Sequence, residues 1–337
     1  MKKPAICLYV VITVGLMVWG YYQAIFVAPN DAMQGEIFRI LYYHVPSWAV
    51  TFAFFALSFV GSLGFLAARH KHPDRAQIFD ALAVAGAEIG VVFCTVGLTT
   101  GPIWGRRAWG IWWTWDARLT TSLVLWLIYV SYLMVRRFAA GPQMQSLAAV
   151  LGIFGALDIP IVYMSNRLWR TQHPAPVFGG ATGSGMASPM VRVLLWNMLA
   201  WFAWGVMVLI LRYLVERQRQ QIAAREANRA LHGSVLPDGE FIPREEIPMM
   251  RLVIPLAVVL AAALFGGAYF WAAYPPFYAT SLEQVIDHHF VVAAYTVTGT
   301  IQLSYLTWLG LEWSRQKCFA ERLERTTRRA ATSLSSL

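Results

Sequence analysis

The chain has 337 residues and a net charge of +9, yet only 13% of it is charged and 58% is hydrophobic. A soluble domain carries roughly 25% charged residues, so this shortfall, with long uncharged runs, excludes an ordinary soluble protein and points to a bilayer. The basic excess flanks apolar segments instead of forming a solvated patch, so no nucleic-acid partner is expected.

A helix needs roughly 20 apolar residues to span a bilayer. Eight runs qualify, at about 5–27, 47–68, 78–100, 119–135, 145–165, 191–214, 252–274 and 290–313. The first follows Met1-Lys2-Lys3 with no convincing small-residue cleavage site, and is read as a retained helix. The last is diluted by Thr296, Thr298, Thr300, Gln302 and Ser304. A polar stretch, 216–250, continues the sixth helix and then loops. The fold class is all-α, a polytopic membrane bundle of six core helices plus about two more. Residues 1–215 form the front domain, 216–250 a cytoplasmic linker and 251–337 a two-helix extension.

Lys and Arg concentrate in cytoplasmic segments. With the N-terminus inside, twenty of the 27 fall in inner segments and seven in outer ones, namely Arg39, Arg106, Arg107, Arg118, Arg167, Arg170 and Arg192. Both termini are therefore expected in the cytoplasm. Cys7, Cys94 and Cys318 are scattered and form no metal knuckle, and the absence of CxxCH excludes covalent attachment of a c-type heme.

The densest feature lies between the third and fourth runs. Trp104, Trp109, Trp112, Trp113 and Trp115 fall within twelve residues, interleaved with Gly105 and Gly110 and followed by Asp116 and Arg118. Such a cluster makes a flat, stiff apolar surface with polar N–H edges, suited to a planar apolar ligand. An interfacial tryptophan belt is the plainer alternative. Asp116 stands where it would cap the fourth helix.

Of seven histidines, His70, His72 and His232 fall in inner segments. His44 precedes the second run and His173 follows the fifth, so the two share the outer face with the tryptophans; His288 and His289 lie outside too. A pair of neutral imidazoles can ligate porphyrin iron from opposite sides, and each can equally be an exposed structural residue. Arg39, Arg106, Arg107, Arg118, Arg167 and Arg170 can pair with propionates or with lipid phosphate. Within the runs, Asp80, Glu88 and Asp158 are costly to bury, and both structural hydrogen bonding and proton handling account for them.

At these residues the chain resembles a known family. The stretch Trp109-Gly-Ile-Trp112-Trp113-Thr-Trp115-Asp116-Ala-Arg118-Leu-Thr120 is similar to the tryptophan-rich "WWD" signature of heme-handling proteins in cytochrome c maturation. The ending Asp-Ala-Arg-Leu-Thr resembles the CcmC branch, the heme exporter protein C, where the CcmF and CcsA branches continue Trp-Asp-Pro. Residues 38–46, Phe-Arg-Ile-Leu-Tyr-Tyr-His-Val-Pro, are similar to that family's first outer segment. The resemblance covers about 1–215. It implies a non-enzymatic inner-membrane protein that binds heme b outside the membrane. It implies presentation of that heme to the chaperone CcmE, with the transporter subunits CcmA and CcmB and the small protein CcmD. By position, His44 and His173 resemble the axial ligands, and the tryptophans with Asp116 the platform. Residues 291–325 faintly resemble CcmD, which would make 251–337 a fused equivalent. A membrane b-type cytochrome and a transporter working through Glu88 and Asp158 are the rival classes.

Overall fold

A computed structural model describes residues 3–138, 142–174, 186–231 and 281–334. Seven long helices are present among them: α1 (Lys3–Tyr22), α2 (Leu41–Ala68), α3 (Pro73–Trp109), α4 (Ala117–Phe138), α5 (Pro142–Leu168), α6 (Ser188–Leu231) and α7 (Leu282–Leu334). A π turn (Gln23–Val27) and a 3-10 turn (Glu36–Ile40) join α1 to α2. The chain is a polytopic helical membrane protein: the first six helices, the fifth counted from Gln143 and the sixth to Ala227, are long and apolar enough to cross a bilayer. α7 contains the expected 290–313 run but falls outside those six, as its threonines and Gln302 lower its hydropathy. The expected run at 252–274 lies outside the described residues.

The α2–α3 hairpin is the spine. His72 and Pro73 open α3, a helix start that wastes no N–H. Small residues let the two backbones touch: a Cβ on Gly61 would stand 2.7 Å from the Ala83 nitrogen, and one on Gly86 2.7 Å from the Phe54 carbonyl oxygen. Where lipid removes the hydrophobic drive, such close approach favours helix association. One core surrounds Tyr43, Phe93, Leu194 and Trp201, between α2, α3 and α6, and takes in Val291, Ala294 and Leu309 of α7. A second joins α2 and α3 to α4 and α5, where Phe55 and Tyr129 stack with centroids 3.7 Å apart.

Two boundaries differ from expectation and move functional residues. α3 runs on to Trp109, so Trp104, Arg106, Arg107 and Trp109 stand on helical turns and only 110–116 is loop. The helix stops at Gly110, whose φ of 75° is the left-handed C-terminal cap glycine permits. His44 is inside α2, not ahead of it. Pro46 costs the helix one hydrogen bond but lies near its start, and Ser47 Oγ donates to the Tyr43 carbonyl one turn back.

Glu88 is paired, which supports the structural account of it. Arg212 Nε of α6 donates to Glu88 Oε2 at 2.8 Å, and the Tyr305 hydroxyl of α7 donates to Oε1 at 2.7 Å. Arg212 also bridges to Glu216, and Arg136 of α4 bridges Glu216 and Asp80. Asp158 is buried, and its Oδ2 has no hydrogen-bond partner among the described residues.

Candidate functional site

The tryptophan end of the bundle encloses a cavity of about 300 Å3, a ligand-sized volume. Its walls come from α2 (His44, Trp48, Phe52), α3 (Gly97, Gly101, Trp104, Trp109), the connecting loop (Ile111, Trp112, Trp113), the head of α4 (Asp116, Arg118) and the segment after α5 (Gln172, His173, Pro174). Met186 and Met198 close it from the α6 side.

His44 and His173, 129 positions apart in the chain, face each other here with ring centroids 6.4 Å apart and planes 32° from parallel. Each ring is held through Nδ1. For His44 the partner is Thr100 Oγ1 at 2.9 Å. That hydroxyl spends its own proton on the Val96 carbonyl at 2.7 Å, so it can only accept, and His44 carries its proton on Nδ1. For His173 the partner is the Pro174 carbonyl oxygen at 2.9 Å, again only an acceptor. Both rings thus leave Nε2 unprotonated, the state in which imidazole binds a metal. Burial, then the neighbouring Arg118 guanidinium, pushes His173 down to about 4, which keeps it neutral.

The surroundings of His44 are aromatic. Trp104 meets its ring edge-on at 5.9 Å and Trp48 at 6.4 Å. Gly97 and Gly101 make room: a Cβ on Gly97 would come within 2.6 Å of the Trp48 indole, and one on Gly101 within 3.3 Å of His44 Cε1. Trp113 lines the cavity with its indole N–H buried and without a hydrogen-bond partner among the described residues. That is a donor suited to a polar group on a bound ligand.

Asp116 does two things. Its Oδ1 accepts the Leu119 N–H at 2.9 Å and caps α4, as its position suggested. Its Oδ2 accepts from the Thr171 hydroxyl and from the Gln172 N–H at 3.3 Å. Thr171 Oγ1 in turn accepts the His173 N–H at 3.1 Å. The carboxylate therefore ties the segment bearing His173 to the rigid start of α4.

Of the residues singled out from sequence, His44, His173, Trp104, Trp109, Trp112, Trp113, Asp116 and Arg118 come together around the cavity. Trp115 does not line it; it is 76% exposed and lies edge-on to Trp113. Arg39, Arg106 and Arg107 are also absent from the walls. Arg39 donates to the Ala24 carbonyl and Asn30, Arg106 to the Gly110 carbonyl, and Arg107 to Asp287. Arg118 donates to the Val162 carbonyl at 2.6 Å, which holds it between the helices. Sequence reasoning missed Thr100, Trp48 and the two methionines. Only the glycines four apart on α3, Gly97 and Gly101, hinted that something large leans on that face.

Fold and site together define a class: a multi-helix membrane protein with an aromatic cavity lined by two imidazoles whose ring centroids are 6.4 Å apart. Residues 1–232 match the family described as CcmC, heme exporter protein C, and the chain belongs to that family. A heme exporter protein C of Bradyrhizobium diazoefficiens is 39% identical over 50% of this chain, and the chain spans 64% of that relative's length. The heme exporter protein C of Escherichia coli K12 is 33% identical over 67% of this chain and 84% of its own length. That of Paracoccus denitrificans is 31% identical over 65% and 88% respectively.

Proposed function

We propose that the chain binds heme b at the periplasmic face of the bacterial inner membrane and presents it to a chaperone of the CcmE type during maturation of c-type cytochromes. CcmA- and CcmB-like subunits would be its transporter partners. The front domain, 1–215, does the binding; 216–250 is a linker, and 251–337 is an extension that takes the place of CcmD. Heme is cargo here: the chain makes and breaks no covalent bond, and holds the porphyrin in a pose another protein can reach. N- and C-termini are cytoplasmic, from the distribution of Lys and Arg.

The observation that carries this reading is the imidazole pair. His44 and His173 stand with ring centroids 6.4 Å apart, close enough that both imidazoles would hold one heme iron. The residues present suit the group in three further respects. Both Nε2 atoms are unprotonated, the walls are aromatic, and Trp109 and Trp112 are exposed enough at the rim to cover a porphyrin face while one edge stays open. Arg118, half-buried in the cavity wall with the pair, would offset the negative charge of the macrocycle and its carboxylates.

Oxidised and reduced spectra of purified variants test it. The wild-type chain should show a bis-imidazole spectrum. His44→Ala and His173→Ala should each retain less heme with shifted bands, and added imidazole should restore the bands by filling the vacated position. Replacing His288 and His289 together should leave the band positions unchanged. Full heme content and wild-type bands in either single variant would remove that residue as a ligand.

A further inference from the structure

Residues 282–334 lie beyond the stretch matched to the family, yet α7 docks against the same end of the bundle as the tryptophans. Its first turns make a set of specific contacts there. Asp287 accepts a hydrogen bond from Arg107, which stands on the last turn of α3 two residues before Trp109. Phe290, three residues further along α7, meets the Trp112 ring with centroids 6.3 Å apart. His288 Nδ1 is 3.1 Å from Glu36 Oε1, at the start of the turn that leads into the helix of His44. Tyr295 packs on Tyr43, next to His44, with ring centroids 4.0 Å apart and planes tilted by 54°, and its hydroxyl donates to the Arg39 carbonyl at 3.0 Å.

The loop needs such support. Between the Gly110 and Asp116 caps it carries three tryptophans, and Trp112 is 55% exposed. A bulky ring left mobile must be ordered when a ligand lands on it, which lowers affinity; one fixed in advance does not. Phe290 touches Trp112 itself, and Asp287 fixes the helix end from which the loop departs.

We propose that α7 is a built-in clamp that presets the pose of the tryptophan platform, with Asp287 and Phe290 as positioning residues. Its consequence for heme rests on the function proposed above; the clamp itself does not. The imidazole anchors, Thr100 and Pro174, lie on other elements, so loosening the clamp weakens binding and leaves the ligation intact.

The test uses the full chain with its native cysteines replaced and one reporter, Ile111→Cys, in the loop. Without heme, Asp287→Asn and Phe290→Ala should each raise the rate of thiol labelling at position 111 severalfold. With Ile111 retained, each should raise the hemin Kd severalfold, up to about tenfold, while the bis-imidazole bands keep their positions. The charge exchange Arg107→Asp with Asp287→Arg should restore both readouts, which a chain that is merely misfolded would not do. Unchanged labelling in both single variants, or an exchange as impaired as Asp287→Asn, overturns the clamp. If the wild-type chain binds no hemin but labelling still responds, the heme reading fails and the clamp stands. If hemin binds all variants alike and labelling is constant, the reverse holds.

Discussion

At the scale of single residues, the candidate site depends on groups that fix its two imidazoles in place. Thr100 is the clearest case, because its hydroxyl can only accept from His44 and so decides which imidazole nitrogen is bare. Thr100→Val keeps the shape and removes the acceptor. It should lower heme affinity by about 10- to 100-fold, the usual cost of losing a partner that orients a metal ligand, and titration with hemin measures it. Asp116 separates capping from positioning. Asp116→Ala should cost α4 about 1 kcal/mol of stability, and should weaken heme binding beyond that because the tie to Thr171 and Gln172 goes with it. Asp116→Asn keeps an oxygen for the cap and should recover the stability first; thermal unfolding beside hemin titration gives the split. The His173 value of about 4 sets a pH window. An ordinary histidine protonates near 6.5. In the folded chain the ring resists its proton down to about 4, so hemin affinity should stay flat from about pH 6 to 8 and fall as the pH drops through 4. For the same reason the heme-free protein should lose stability between about 6.5 and 4, where the unfolded chain takes up the proton the folded one refuses. Trp104, Trp109, Trp112 and Trp113 as a cluster, and Asp116 as a cap, were legible from residue type and local position; that Trp115 stands outside the cavity, and that His44 meets His173 from within α2, were not. Thr100 was not, since its role depends on α2 and α3 meeting at a pair of residues 56 positions apart. Arg39, Arg106 and Arg107 were legible only as charges; what they bind is decided by backbone carbonyls and by Asp287, which the sequence does not place beside them.

At the scale of elements, the helices are tied together by buried charge as well as by small-residue contacts. Arg212 of α6 stands between Glu88 of α3 and Glu216, and Arg136 of α4 stands between Glu216 and Asp80. Removing one cation strands carboxylates that have lost access to water. Arg212→Ala should therefore destabilise the bundle by about 3–5 kcal/mol, read as a lower Tm in detergent. Neutralising the partners with it, Arg212→Met with Glu88→Gln and Glu216→Gln, should recover most of the loss, since an apolar replacement of a whole buried ion set is often tolerated. Failure of the triple variant to recover would mean that the charges do more than balance one another. The sequence marked Glu88 as expensive and left its purpose open; the purpose is visible only when Arg212 and Tyr305, on two other helices, converge on it. Helix existence was legible from apolar run length, but ends were not. α3 runs past its expected end at 100 through Gly101, Pro102 and Gly105, where His44 of α2 packs against the Gly101 face.

At the scale of the whole molecule, two helices are longer than a bilayer requires. At about 1.5 Å per residue, the 44 residues of α6 and the 53 of α7 exceed the roughly 30 Å hydrocarbon core. The surplus of α6 is at its C-terminal end, past Glu216, where Arg217, Arg219 and Arg225 follow; that of α7 carries Arg315, Lys317, Arg322 and Arg325. Both surpluses are basic, as are the 69–75 turn between α2 and α3 and the end of α4 at Arg136 and Arg137. The tryptophan end keeps only arginines, and of these Arg39, Arg106, Arg107 and Arg118 have partners within the protein. The count of twenty inner to seven outer Lys and Arg predicts that the tryptophan end faces outward. Single cysteines in a chain lacking the native three should then divide cleanly when intact cells are treated with an impermeant thiol reagent. Ile111→Cys and Gln172→Cys, both at exposed positions of the tryptophan end, should label in whole cells. Arg75→Cys and Ala224→Cys, exposed at the other end, should label only after the membrane is opened. Labelling of positions 75 and 224 in intact cells, with 111 and 172 protected, would invert the protein in the membrane. It would also put the imidazole cavity in the cytoplasm, on the wrong side for handing heme to a periplasmic partner.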